Sequence, residues 1–171
     1  MLELAITVAI IGVLAAVTIP NWASTARNKK YDPEITAMFT EIGAREEQYK
    51  QELGNGEYLP TGTACPSAPM PNGSDFNMNC VTGATAWVTL RVSPTDSSIR
   101  CSYQVFTGDS TSPPNSATIA PCLLPHNGTG TVAGSWYEIM ATCDMDGNGG
   151  TNATFCINSW DTKQHNLNYG S

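Results

Sequence analysis

The residues of this chain whose types and spacing could do chemistry begin with one carboxylate, Glu3, set in the apolar run Met1 to Pro20. Its other polar members are Thr7 and Thr18. A charge at the centre of a membrane span costs about 2.5 to 3.5 kcal/mol on insertion scales, so it needs a reason and a partner. One reading is a plain anchor, with Glu3 close enough to the end to reach the interface. The other is a pair between Glu3 and a cation from a second copy of the chain, formed when the apolar helices bundle. A second set is Asp144-Met145-Asp146-Gly147-Asn148-Gly149. Hard cations take several oxygens on a sharply turning loop, and Asp-x-Asp-x-Asn-Gly matches the first half of an EF-hand-type calcium loop. Asp144, Asp146 and Asn148 are therefore a candidate calcium set. The second half of the motif fails, since Phe155 stands where a bidentate Glu belongs. A Gly-Asn-rich hairpin turn with no ion reads the same residues equally simply.

The third set is six cysteines, Cys65, Cys80, Cys101, Cys122, Cys143 and Cys156, all in the distal part. An even count without a CxxC pair reads as disulfides in an oxidising compartment rather than zinc or thiol redox chemistry. Six cysteines allow 15 pairings. Sequential pairing, Cys65 with Cys80, Cys101 with Cys122 and Cys143 with Cys156, closes short local loops and is the expectation. Enzyme chemistry is poorly served. His126 and His165 lie in loop and tail without a nucleophile motif nearby, and no phosphate-cradling loop occurs. With a net charge of −7 and one basic cluster, Arg27, Lys29 and Lys30, no specific nucleic-acid site is evident.

Leu2-Glu3-Leu4, then Val8 to Ala16 with Gly12, and Ile19-Pro20 resemble the N-terminal helix of type IV pilins and type II secretion pseudopilins. The resemblance covers about the first thirty residues. It implies assembly roles for Glu3, Gly12 and Pro20, with Glu3 meeting the free amino group of an adjacent subunit's first residue, and often a melted segment between such a Gly and Pro. The family's mature chain starts with a methylated Phe after a short basic leader. Glu3 lies two residues closer to Met1 than that pattern has it, so the resemblance implies that two mature residues and a leader precede Met1. Calcium occurs in the pseudopilin branch.

The elements that must position these residues follow in order. Residues 1–30 are read as the hydrophobic N-terminal helix: Met1 to Pro20 is long enough at ~1.5 Å per residue to cross a ~30 Å hydrocarbon layer, Met1 to Ala16 is apolar on all sides, and Asn21 to Lys30 is polar and helix-compatible. Asp32-Pro33-Glu34 is a helix start with Asp32 as cap. An amphipathic helix over 33–53 then shows Ile35, Met38, Phe39, Ile42, Tyr49 and Leu53 as one apolar stripe. Glu41, Arg45, Glu46, Glu47 and Lys50 fall on the other face, Glu46 and Lys50 at pairing distance. Gly54-Asn55-Gly56 ends it. A loop over 54–85 is held by Cys65 and Cys80. Strands are read at 86–92, 101–106, 135–142 and 154–160, within a sheet region spanning 86–160 and broken by a long Pro-rich insertion from Gly108 to Gly130. The tail 161–171 is polar, either disordered or laid against a neighbouring subunit.

The expected fold class is α+β: a long N-terminal α-helix, partly membrane-spanning and melted or kinked between Gly12 and Pro33, packed on a C-terminal antiparallel β-sheet head with disulfides over 31–171. The expected function is a structural subunit of a bacterial type IV pilus, polymerising through the N-terminal helix for adhesion, twitching motility or DNA uptake. It would wait in the inner membrane with a periplasmic head and end in an extracellular helical filament of like subunits, served by pilus assembly machinery and minor pilins. The alternatives are a low-abundance minor pilin or pseudopilin, and a monomeric membrane-anchored binding protein.

Overall fold

A computed structural model describes residues 6–15, 29–76, 80, 85–111, 134–149, 152–161 and 163–167. Helix α1 is described over residues 6–15, and its side chains are largely exposed. The long, partly membrane-spanning helix expected from the sequence is not what the structure has. At ~1.5 Å per residue the described stretch of α1 covers about 15 Å, half a hydrocarbon layer. No helix among the described residues is long and apolar enough to cross a membrane. Residues 29–31 form a turn, after which helix α2 (Asp32–Glu52) starts afresh. Pro33 suits the first turn, where its missing N–H is no loss, and would break a helix arriving from the N-terminal side. The cap is Tyr31 rather than Asp32, and it makes no side-chain capping bond.

The rest is α+β with two antiparallel sheets and short helices. Strands β1 (Ser74–Asp75) and β2 (Ser98–Ile99) make a two-stranded ribbon. Strands β3 (Ser102–Gly108), β4 (Trp136–Cys143), β5 (Ala153–Asn158) and β6 (His165–Leu167) make a four-stranded meander in chain order. Tyr103 pairs with Ala141, Val105 with Ile139, and Ala141 with Phe155. Because side chains alternate along a strand, these residues share one face. On that face α2 lays Ile35, Met38, Phe39 and Ile42, all buried, and the rings of Phe39 and Tyr103 meet edge to face at 6.4 Å. The alternate positions Trp136 and Glu138 point to the other face and are also buried.

Several expected elements differ. Residues 86–92 are not a strand: Thr85–Leu90 is a helix, α3, with Trp87 and Leu90 buried and Val88 exposed. Burial at i and i+3 is a helical pattern, and the apparent alternation of this short run concealed it. The chain leaves α3 through Arg91 at φ +54° and reaches the 95–97 bend. The apolar stripe of α2 is also displaced. Glu46, four residues after Ile42, lies fully buried, whereas Leu53 is exposed. Glu46 and Lys50 do not pair; Glu46 Oε2 accepts a bond from Leu59 N–H at 2.9 Å, and Lys50 lies over the Tyr58 ring. Part of the polar tail is strand β6, closing the sheet edge beside β5, with His165 Nε2 2.9 Å from Asp161 Oδ2.

The disulfides correct the sequential pairing. Cys65–Cys80 is as expected, but Cys101 joins Cys143, not Cys122. Cys143 consequently cannot hold Cys156, which is itself disulfide-bonded. The physical reason is the sheet: Cys101, just before β3, and Cys143, the last residue of antiparallel β4, come to a Cα separation of 4.4 Å.

Candidate functional site

Of the residues with expected assembly roles, Gly12 is helical within α1, and a Cβ there would meet nothing within 4 Å. Glu3, Pro20 and Cys122 lie outside the described residues; of the segment from Gly12 to Pro20 that was expected to be melted or kinked, residues 12–15 are helical and 16–20 lie outside the described residues. The apolar side chains of α1 are half or more exposed: Ile6 52%, Val8 60%, Ile10 55%, Ile11 65% and Val13 67%. The core of the molecule takes its first member from Tyr31 onward among the described residues. The apolar face of α1 is thus not used to build that core.

The candidate calcium loop is organised by hydrogen bonds. Asp144 Oδ1 accepts from Gly147 N–H at 2.8 Å and Oδ2 from Gly149 N–H at 3.1 Å, while Asp146 Oδ1 accepts from Asn148 N–H at 3.2 Å. Tyr31 Oη donates to the Asp144 carbonyl at 3.1 Å and ties the loop to the start of α2. Burial pushes the Asp144 carboxyl up, but bonds from the Asp146 side chain and the loop N–H groups outweigh it and hold the group below the usual range. Calcium takes six to eight oxygens. Here the Asp144 carboxylate is turned inward onto backbone donors, Phe155 is buried in the core, and no group of three or more acidic, His or Cys side chains among the described residues could hold a metal.

Sequence reasoning missed a third feature. Glu34, in the first turn of α2, reaches the 94–101 segment. Its Oε1 accepts from Arg100 N–H at 2.8 Å, Cys101 N–H at 3.0 Å and Tyr103 Oη at 3.1 Å, and its Oε2 lies 3.3 Å from Arg100 Nη1. Burial, and then the Glu34 charge, push the Tyr103 phenol well up. Beside this junction is a cleft of about 360 Å³ with apolar walls from Pro33, Met38, Pro94 and Ile99 and with Lys30 and Arg100 as its cations. Arg100 Nε is buried there without a hydrogen-bond partner. Glu34 and Arg100 are 66 residues apart, and nothing in their local sequence announces the meeting.

Comparison with protein-family models, with curated proteins and with solved structures finds no match for this chain.

Proposed function

We propose that this chain is a structural subunit of a filament of the type IV pilus kind, joined to like subunits through its apolar N-terminal segment. The observation that carries the reading is the exposure of Ile6, Val8, Ile10, Ile11 and Val13 on a chain whose core is assembled without them. A contiguous apolar surface of this sort marks a contact with lipid or protein. The resemblance of the first thirty residues to pilins chooses between the two: the segment is held at the inner membrane before assembly and is covered by other copies afterwards. Disulfides in the head agree with a periplasmic stage and an extracellular end. Head-to-tail contacts that do not close give an open helical filament. Adhesion, twitching motility or DNA uptake then belongs to the outer surface of the heads, and separate motor enzymes supply the work.

The fresh start of α2 at Asp32 favours a second reading, a low-copy minor pilin or pseudopilin, because a long unbroken helix is the better spine for a major subunit. Copy number in sheared filaments separates the two. The test of the shared reading is Glu3→Ala or Glu3→Leu: membrane association is expected to persist and filament incorporation to be lost. Normal filaments from either variant would overturn it.

A further inference from the structure

We infer that Asn148 is a site of self-modification: the backbone nitrogen of Gly149 closes on its side chain, Asp144 takes the proton, and the residue ends as aspartate or isoaspartate. The inference is independent of the filament reading. The reaction belongs to Asn-Gly steps, because glycine has no Cβ to shield the attacking nitrogen and its backbone turns freely. The chain has such steps at Asn55, Asn72, Asn127 and Asn148. Asn127 and Gly128 lie outside the described residues.

Exposure does not separate the other three, since each asparagine is open to water. What separates them is the group that holds the glycine N–H. Gly56 donates to the Lys50 carbonyl at 3.1 Å, and Gly73 donates to the Met70 carbonyl at 2.7 Å. A carbonyl oxygen holds a proton in place but is too weak a base to remove it. Gly149 instead donates to Asp144 Oδ2 at 3.1 Å. That is a carboxylate within the roughly 2.6–3.2 Å reach of a general base. Asp144 is fixed in this position: it is buried, its Oδ1 accepts from Gly147 N–H at 2.8 Å, and its carbonyl accepts from Tyr31 Oη at 3.1 Å. A Cβ on Gly149 would meet nothing within 4 Å, so the turn has room for a ring to close.

The step balances within the loop and water. Gly149 N bonds to Asn148 Cγ, the Cγ–Nδ2 bond breaks, and the proton that Asp144 takes from the nitrogen leaves with Nδ2 as ammonia. Water then opens the cyclic imide at either carbonyl. Each event gives the exposed turn between β4 and β5 a third carboxylate beside Asp144 and Asp146, a charge the head acquires with age.

The test ages the full chain in detergent micelles at neutral pH and scores amide-to-acid conversion at each asparagine by peptide mass spectrometry. In the folded chain Asn148 is expected to convert at least about tenfold faster than Asn55 or Asn72, and in urea the three are expected to converge. Asp144→Asn keeps an acceptor for the Gly149 N–H without a base, and is expected to slow Asn148 at least about tenfold while leaving Asn55 and Asn72 unchanged. Tyr31→Phe releases the loop from α2 and leaves the carboxylate in place; its Asn148 is expected to convert near the parent's rate. An Asn148 rate no higher than those of Asn55 and Asn72, a lead that persists unchanged in urea, or an Asp144→Asn rate equal to or above the parent's overturns the inference.

Discussion

Two carboxyls, Glu46 on α2 and Glu138 on β4, are fully buried, and burial pushes each up to about 8. Neither Glu138 oxygen has a hydrogen-bond partner, and only one oxygen of Glu46 does. An unfolded glutamate releases its proton near 4.5, so between about pH 4.5 and 8 the folded chain holds protons that the unfolded chain has lost. Stability from these groups is therefore full below about 4.5 and is lost as pH rises through that window. Asp144 and Asp161 are shifted the other way and act at lower pH, outside it. The melting temperature is expected to fall from pH 5 to pH 8.5, and Glu138→Gln to remove roughly half of that fall, Glu46 supplying the rest. Calorimetry across pH checks this; an unchanged slope in Glu138→Gln would assign the loss to other groups. Glu46 also shows why a residue's type misleads: it falls on the core side of α2 by its spacing from Ile42, although its charge put it on the solvent face.

Among the elements, the sheet was partly legible and its fastening was not. Alternating apolar residues over 135–142 and 154–160 announced β4 and β5, and their hairpin follows from period-2 patterning. Residues 86–92 read as strand because six or seven residues cannot separate alternation from a short helix; packing of Trp87 and Leu90 decided it. The Cys101–Cys143 bond depends on antiparallel pairing of β3 with β4 and so was invisible to a rule of shortest loops. It closes 42 residues against 15 for Cys65–Cys80. Loop entropy then assigns it about 4 kcal/mol against about 3. Replacing Cys101 and Cys143 by serine is expected to lower stability more than replacing Cys65 and Cys80, as measured by urea unfolding without reductant. The reverse order would show that the local loop braces more of the head than chain entropy implies.

At the scale of the whole molecule, the head and the apolar segment divide the labour. All described core residues lie at Tyr31 or beyond, and the described α1 side chains are exposed. A chain lacking residues 1–28 is therefore expected to keep its disulfides and melt within about 3 °C of the full chain, while losing self-association in sedimentation velocity. A large drop in melting temperature would mean that the segment is part of the folding unit. The sequence by itself determined what local pattern can determine: an apolar run with one carboxylate, an amphipathic helix after Pro33, a terminal hairpin and a cysteine-rich head. These depend on neighbours a few residues apart, where periodicity and turn chemistry act. Only the tertiary structure decided which cysteines meet, that Glu46 and Glu138 are buried, and that Glu34 and Arg100 frame a cleft. Those outcomes depend on strand register and on packing between segments tens of residues apart, and no local spacing encodes them.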